Sequence, residues 1–128
     1  MLIKHCDELP DRIKLVLTKC ECEKSDFVCG LKTDFKLSYE IPYMWIVVTR
    51  KSLVLCNTHT SRRGLWALYS YSELNSIRLV KDMAGYFSIE IFETNPNKLS
   101  TKLPLPHNTS AENANELFMC CKRLINRE

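Results

Sequence analysis

Tyr43-Met44-Trp45-Ile46-Val47-Val48-Thr49-Arg50-Lys51-Ser52-Leu53-Val54-Leu55-Cys56-Asn57 is the stretch that decides the fold. Two runs rich in β-branched and aromatic residues flank a short polar turn, the pattern of an antiparallel hairpin. Outward from it, alternation of apolar and polar residues predicts further strands at Phe35–Tyr39, Leu65–Tyr69, Ser76–Val80, Tyr86–Glu93 and Thr101–Leu105. In the fourth of these, Phe87, Ile89 and Ile91 share one face. Turns are expected at Ser72–Asn75, Asp82–Gly85 and Asn95–Asn97. Pro104 suggests that the last strand lies at a sheet edge or a bulge. Upstream, Ile13-Lys14-Leu15-Val16-Leu17-Thr18-Lys19-Cys20 reads as a strand, residues 1–11 as a lead-in and Glu21–Lys32 mostly as loop.

One convincing long helix closes the chain, from Ser110 to about Asn126. Thr109 and Glu112 fit a capping box, in which each side chain reaches the other's free backbone N–H. Ala114, Leu117, Phe118, Cys121, Leu124 and Ile125 recur at helical spacing and form one apolar stripe. Lys122, Arg123 and Arg127 fall in the last turns, where cations complement the helix dipole. An amphipathic helix beside an open sheet has one obvious task, which is to cover it. The expected architecture is therefore mainly β: a bent antiparallel sheet or partly open barrel of about seven strands, capped by the helix at 110–126. At 128 residues the chain is read as one domain, with strands over 12–105.

Composition narrows the function classes. A net charge of +3 is too mild for nucleic acid, which would call for clustered Lys and Arg. No apolar run approaches the ~18 residues of a membrane span. The opening Met1-Leu2-Ile3-Lys4-His5-Cys6-Asp7-Glu8 turns acidic at once, so no secretory signal is expected. Seven cysteines without framework spacing predict reduced thiols, several of them buried as small hydrophobes, in a cytoplasmic protein. Cys20 and Cys22 with Cys29 could offer three thiolates to zinc. Their single tight pair has a one-residue gap, unlike the paired two-residue spacings of structural sites, so no metal is expected. His5, His59 and His107 all lie in polar or Pro-flanked segments, none beside a Gly-rich elbow, and three glycines are too few for a phosphate-cradling loop. Neither catalysis, a cofactor nor a small-molecule substrate is expected.

With these residues laid out, the chain over about 43–126 resembles the pleckstrin-homology superfold. Trp45–Thr49 followed by Ser52–Leu55 is similar to its second and third strands. Tyr71-Ser72-Glu73-Leu74-Asn75-Ser76-Ile77 is similar to the turn after its fourth. The closing helix carries Leu117 and Phe118 where such domains usually carry a Trp. The resemblance implies a scaffold that hosts phosphoinositides, peptides or protein faces. Lipid-binding members place a Lys and a Lys/Arg-x-Arg pair about the first hairpin, whereas here only scattered Lys24, Lys32 and Lys36 occur.

Two functions follow as expectations. The favoured one is a non-catalytic interaction or adaptor module acting by protein–protein contact. Its candidate contacts are Tyr39 and Tyr43, the edge near Leu103 and Leu105, and the outer face of the helix with Asn113, Glu116 and Lys122. The alternative is binding to an anionic, phosphoinositide-containing membrane surface through Arg50, Lys51, Arg62 and Arg63.

Overall fold

A computed structural model describes residues 2–33, 45–56, 65–98, 100–106 and 109–126; for 65–67 it describes the backbone only. The order of elements is α1 (Asp11–Lys19), β1 (Phe27–Lys32), β2 (Trp45–Thr49), β3 (Ser52–Cys56), β4 (Leu65–Ser70), β5 (Leu74–Lys81), β6 (Phe87–Glu93), β7 (Thr101–Pro104) and α2 (Ala111–Ile125). Strands β1 to β4 form one antiparallel sheet in chain order, and β5 to β7 form a second. The expected mainly β fold with one C-terminal helix is present as two sheets rather than a closed barrel.

The hairpin that opened the reading is the centre of the first sheet, with Ile46 paired to Leu55 and Val47 to Val54. Its side chains explain why the apolar run is continuous rather than alternating. Every residue from Ile46 to Thr49 and from Ser52 to Cys56 is buried, because both faces of the sheet are covered. Ile46, Val48, Leu53 and Leu55 face a core shared with Cys29, Leu31, Ile77, Ile89, Ile91 and Leu103, and with Ala114, Leu117 and Cys121 of α2. Val47, Val54 and Cys56 face the other way, onto Ile3, Leu9, Ile13, Val16 and Leu17.

That second layer corrects the reading of the first thirty-two residues. Ile13–Cys20 is not a strand: Asp11–Lys19 is α1, whose buried positions Ile13, Val16 and Leu17 stand at i, i+3 and i+4 while Leu15 is exposed. Pro10, in the N-cap position, and Asp11 in the first turn start it. The presumed lead-in is structural too. Leu2 enters the main core and Ile3 the second, while the Ile3 and Gly30 backbones exchange hydrogen bonds of 2.8 and 2.9 Å. Within the presumed loop, Phe27–Lys32 is β1, paired along β2. The expected strand at Phe35–Tyr39 lies outside the described residues.

Helix α1 ends in a Schellman motif, with Cys22 N donating to Leu17 O at 2.9 Å and Glu21 N to Thr18 O at 3.1 Å. The motif needs a left-handed residue after the cap, and Glu21 supplies it at φ 62°. A side chain there is strained where glycine would not be.

The two sheets meet where β4 turns into β5. Ser70 and Glu73 cap a 3-10 turn reciprocally, and Tyr71 within it is buried. The Tyr71 hydroxyl donates into the β2–β3 turn, against Thr49 O and 2.9 Å from Ser52 O. The same turn is tied internally by Thr49 Oγ1, which accepts from Ser52 N at 3.0 Å and Lys51 N at 3.2 Å. Burial, above all, raises the Tyr71 phenol above its ordinary pKa, so it stays a donor through the neutral and alkaline range.

The closing helix begins one residue later than the sequence suggests. Ser110 is the N-cap, and its hydroxyl accepts from Asn113 N at 3.1 Å. Thr109 is instead buried, and its hydroxyl has no hydrogen-bond partner among the described residues.

Two substitutions test this account. Tyr71→Phe removes the donor from a buried turn and should lower unfolding free energy by about 1–3 kcal/mol in denaturant melts, with the m-value unchanged. Glu21→Gly should raise stability by about 1 kcal/mol, because the left-handed cap position is the rare one where glycine is the better residue. A loss on Glu21→Gly would contradict the cap geometry.

Candidate interaction surface

Helix α2 lays its inner stripe on the core and turns a second ridge outward. Ala114, Leu117 and Cys121 are buried, while Phe118, Leu124 and Ile125 are half-buried against the same core. One step round the helix, Glu112, Asn115, Glu116, Met119 and Arg123 form a row at intervals of three and four. Met119 is 40% exposed in its middle.

The N-terminal segment runs alongside. Leu2 to Lys4 alternates as a strand does, with Leu2 in the main core, Ile3 in the second and Lys4 returned toward α2. Lys4 Nζ meets Glu116 Oε1 at 2.8 Å, and this contact holds the ammonium above its ordinary pKa. Between Lys4 and the helix row lies an open depression of about 650 Å³, reaching Cys120 at its floor. A pair this exposed orients the two side chains more than it stabilises the fold.

The residues proposed from sequence separate into distinct places. Glu116 lines this depression. Lys122 is exposed beside it, its ammonium 5.7 Å from the centre of the Phe118 ring. Leu103 and Leu105 do not form a contact surface. Both are fully buried, because β7 turns those side chains into the core and shows Lys102 and Pro104 to solvent. Among the described residues β7 lies at the edge of its sheet, as Pro104 suggests. Since Leu105 N bonds inward to Phe87 O, alternation puts the Pro104 nitrogen on the open side, where it has no N–H to offer a partner strand. Tyr39, Tyr43, Arg62 and Arg63 lie outside the described residues.

Of the proposed lipid cations, Arg50 and Lys51 form the exposed β2–β3 turn. Lys51 Nζ lies 3.4 Å from Asp26 Oδ2, and Arg50 N donates to Asp26 O at 2.8 Å. Asp26 also accepts from Glu23 N, the main cause of its lowered pKa, so it is a carboxylate throughout the neutral range. The turn therefore carries a built-in counter-charge. On the second sheet, Arg78 is likewise engaged, 3.0 Å from Glu90 and over the Phe92 ring.

Among the thiols, Cys20 caps α1 and packs with Cys22 against the second core, while Cys29 faces the main core on the other side of the sheet. These three do not converge, and among the described residues no group of three or more His, Cys, Asp or Glu side chains is placed to hold a metal. Burial drives the Cys56 and Cys121 thiols up to about 12. Cys29 is raised further, first by burial and then by Cys120 and Cys121 nearby. Among the described residues no helix is long and apolar enough to cross a membrane.

Comparison with family models, with curated proteins and with solved structures returned no match. The sequence pointed to the outer face of α2 through Glu116 but passed over Lys4, Met119 and Arg123. Their signal was present in the spacing of 112, 116, 119 and 123, while Lys4 could join them only through the fold.

Thiol chemistry checks the placement. Alkylation of native protein at pH 8 should label Cys6, Cys22 and Cys120 and spare Cys29, Cys56 and Cys121, whose thiolate fractions are negligible at raised pKa. Mass mapping that found Cys121 labelled at the rate of Cys120 would contradict the orientation of α2.

Proposed function

We propose that the chain is a pleckstrin-homology-like scaffold serving inside the cell as a non-catalytic interaction module, which binds a protein partner on the outer face of α2. The four-plus-three arrangement of antiparallel strands with one C-terminal helix supports the scaffold reading. One observation carries the choice of surface. The row from Glu112 to Arg123 exposes an apolar Met119 between charges of opposite sign, beside an open depression. Flexible, polarizable Met side chains adapt to apolar partners, and charges at either end fix register.

A membrane would need the opposite arrangement, several uncompensated cations on one face. The Lys4 and Arg123 cations share their surface with two carboxylates, and Lys51 is paired with Asp26. This balance favours a protein partner over an anionic bilayer.

The test compares wild type with Met119→Asp, an exposed change that leaves the circular dichroism spectrum unaltered. Quantitative pull-down from cell extract should recover a reproducible partner whose retention falls about tenfold or more in the variant. Liposomes containing phosphoinositide, sedimented in parallel at low salt, should retain neither protein. Retention on those liposomes that is lost in Arg50→Ala/Lys51→Ala, without a protein partner, would reverse the assignment.

A further inference from the structure

The lining of the α2 depression is balanced: two cations, Lys4 and Arg123, and two carboxylates, Glu112 and Glu116. The charges are also sorted along the helix, carboxylates toward its N-terminal end and Arg123 toward its C-terminal end. A surface of this kind is complementary to itself. If a second helix of the same sequence runs antiparallel, a residue i faces a residue j with i + j constant.

We infer that the outer face of α2 pairs with α2 of a second copy of this chain, antiparallel, about a two-fold axis passing between Met119 and Cys120. With the axis there, Glu116 of each copy stands opposite Arg123 of the other, and symmetry makes the contact twice. Met119 of each copy stands opposite Cys120 of the other at the centre, and Met119 supplies the exposed apolar surface there. Antiparallel helices also bring each dipole's positive end beside the other's negative end. Lys4 sits at the margin and exchanges nothing: it keeps Glu116 oriented along the ridge at 2.8 Å.

One helical ridge offers less area than a standard protein–protein interface, so the association is weak, with a Kd of roughly micromolar to millimolar. It is also sensitive to salt, because its specific contacts are solvent-exposed ion pairs. No other macromolecule fits this pattern as directly. A lipid or nucleic acid would face carboxylates, and an arbitrary peptide would have to reproduce the charge order that a second copy already has.

This pairing rests on the reading of α2's outer face as an interaction surface, yet it fails separately from it. Sedimentation equilibrium over a range of protein concentration, at low and high salt, gives the first readout. The expected result is a concentration-dependent dimer that weakens with salt. Arg123→Glu should weaken it about tenfold or more by turning two attractions into repulsions, and Glu116→Arg combined with Arg123→Glu should restore it. Because Arg123 is exposed, the single variant keeps its fold, which circular dichroism verifies. A short bismaleimide should then trap a covalent dimer through Cys120, lost in Cys120→Ser and retained in Cys121→Ser. A monomer at about 1 mM chain, where even a millimolar Kd would show, overturns the pairing. So does a dimer indifferent to charge reversal at Arg123. In either case a partner whose retention depends on Met119 leaves the wider reading of this face standing, whereas its failure in that assay removes both.

Discussion

The hydroxyl of Tyr71 is the contact on which the two sheets depend. It reaches from the corner between β4 and β5 into the tip of the β2–β3 hairpin, where it donates to the Thr49 and Ser52 carbonyls, the second of which also accepts from Thr49 Oγ1. A hairpin turn is ordinarily a solvated, loosely determined place. Here Thr49 closes the turn from inside and Tyr71 fixes it from outside, so the first sheet's tip and the start of the second are one rigid unit. The position of α2 follows, because the helix packs mainly along β5, the strand that leaves this corner. The outer face of α2 is thus set in place by β5 and by the Tyr71 corner, which the helix also touches.

The hairpin and the closing helix were legible because their periodicities are unmixed. Trp45–Thr49 and Ser52–Cys56 admit no helical stripe, and Ala114 to Ile125 admits no alternation. The region before them was not legible in the same way. Ile13, Leu15 and Leu17 alternate as a strand's residues would, while Ile13, Val16 and Leu17 also satisfy a helix, and the β-branched pair tips local propensity toward the strand. What decides is tertiary. The hairpin's Val47, Val54 and Cys56 require cover on their own face, and a helical Ile13–Leu17 supplies it. Pro10 before Asp11 was the local sign of that outcome. The capping error at Thr109 has a similar origin: both Thr109 and Ser110 are competent caps, and only burial of Thr109 selects between them.

The candidate site was visible in part. Glu116 and Lys122 can be placed on the outside of α2 from spacing alone, whereas Leu103 and Leu105 were misjudged because a proline-marked edge suggests exposure of the strand as a whole. An edge strand exposes its backbone on one side, but its side chains still alternate between core and solvent. Lys4 was beyond sequence reasoning, since more than a hundred residues separate it from its partner Glu116 and only the fold brings them together.

The short crossing of Leu2, Ile3 and Lys4 over β1 has a further consequence. An uncovered edge strand is a template for another chain's backbone, and the apolar run Val28–Leu31 would be an inviting one. The two backbone bonds between Ile3 and Gly30 close that template at its centre, while Leu2 and Ile3 bolt the cover to both apolar layers. The opening residues therefore occupy, at Gly30, the backbone groups that another chain's strand would need in order to extend the sheet from β1.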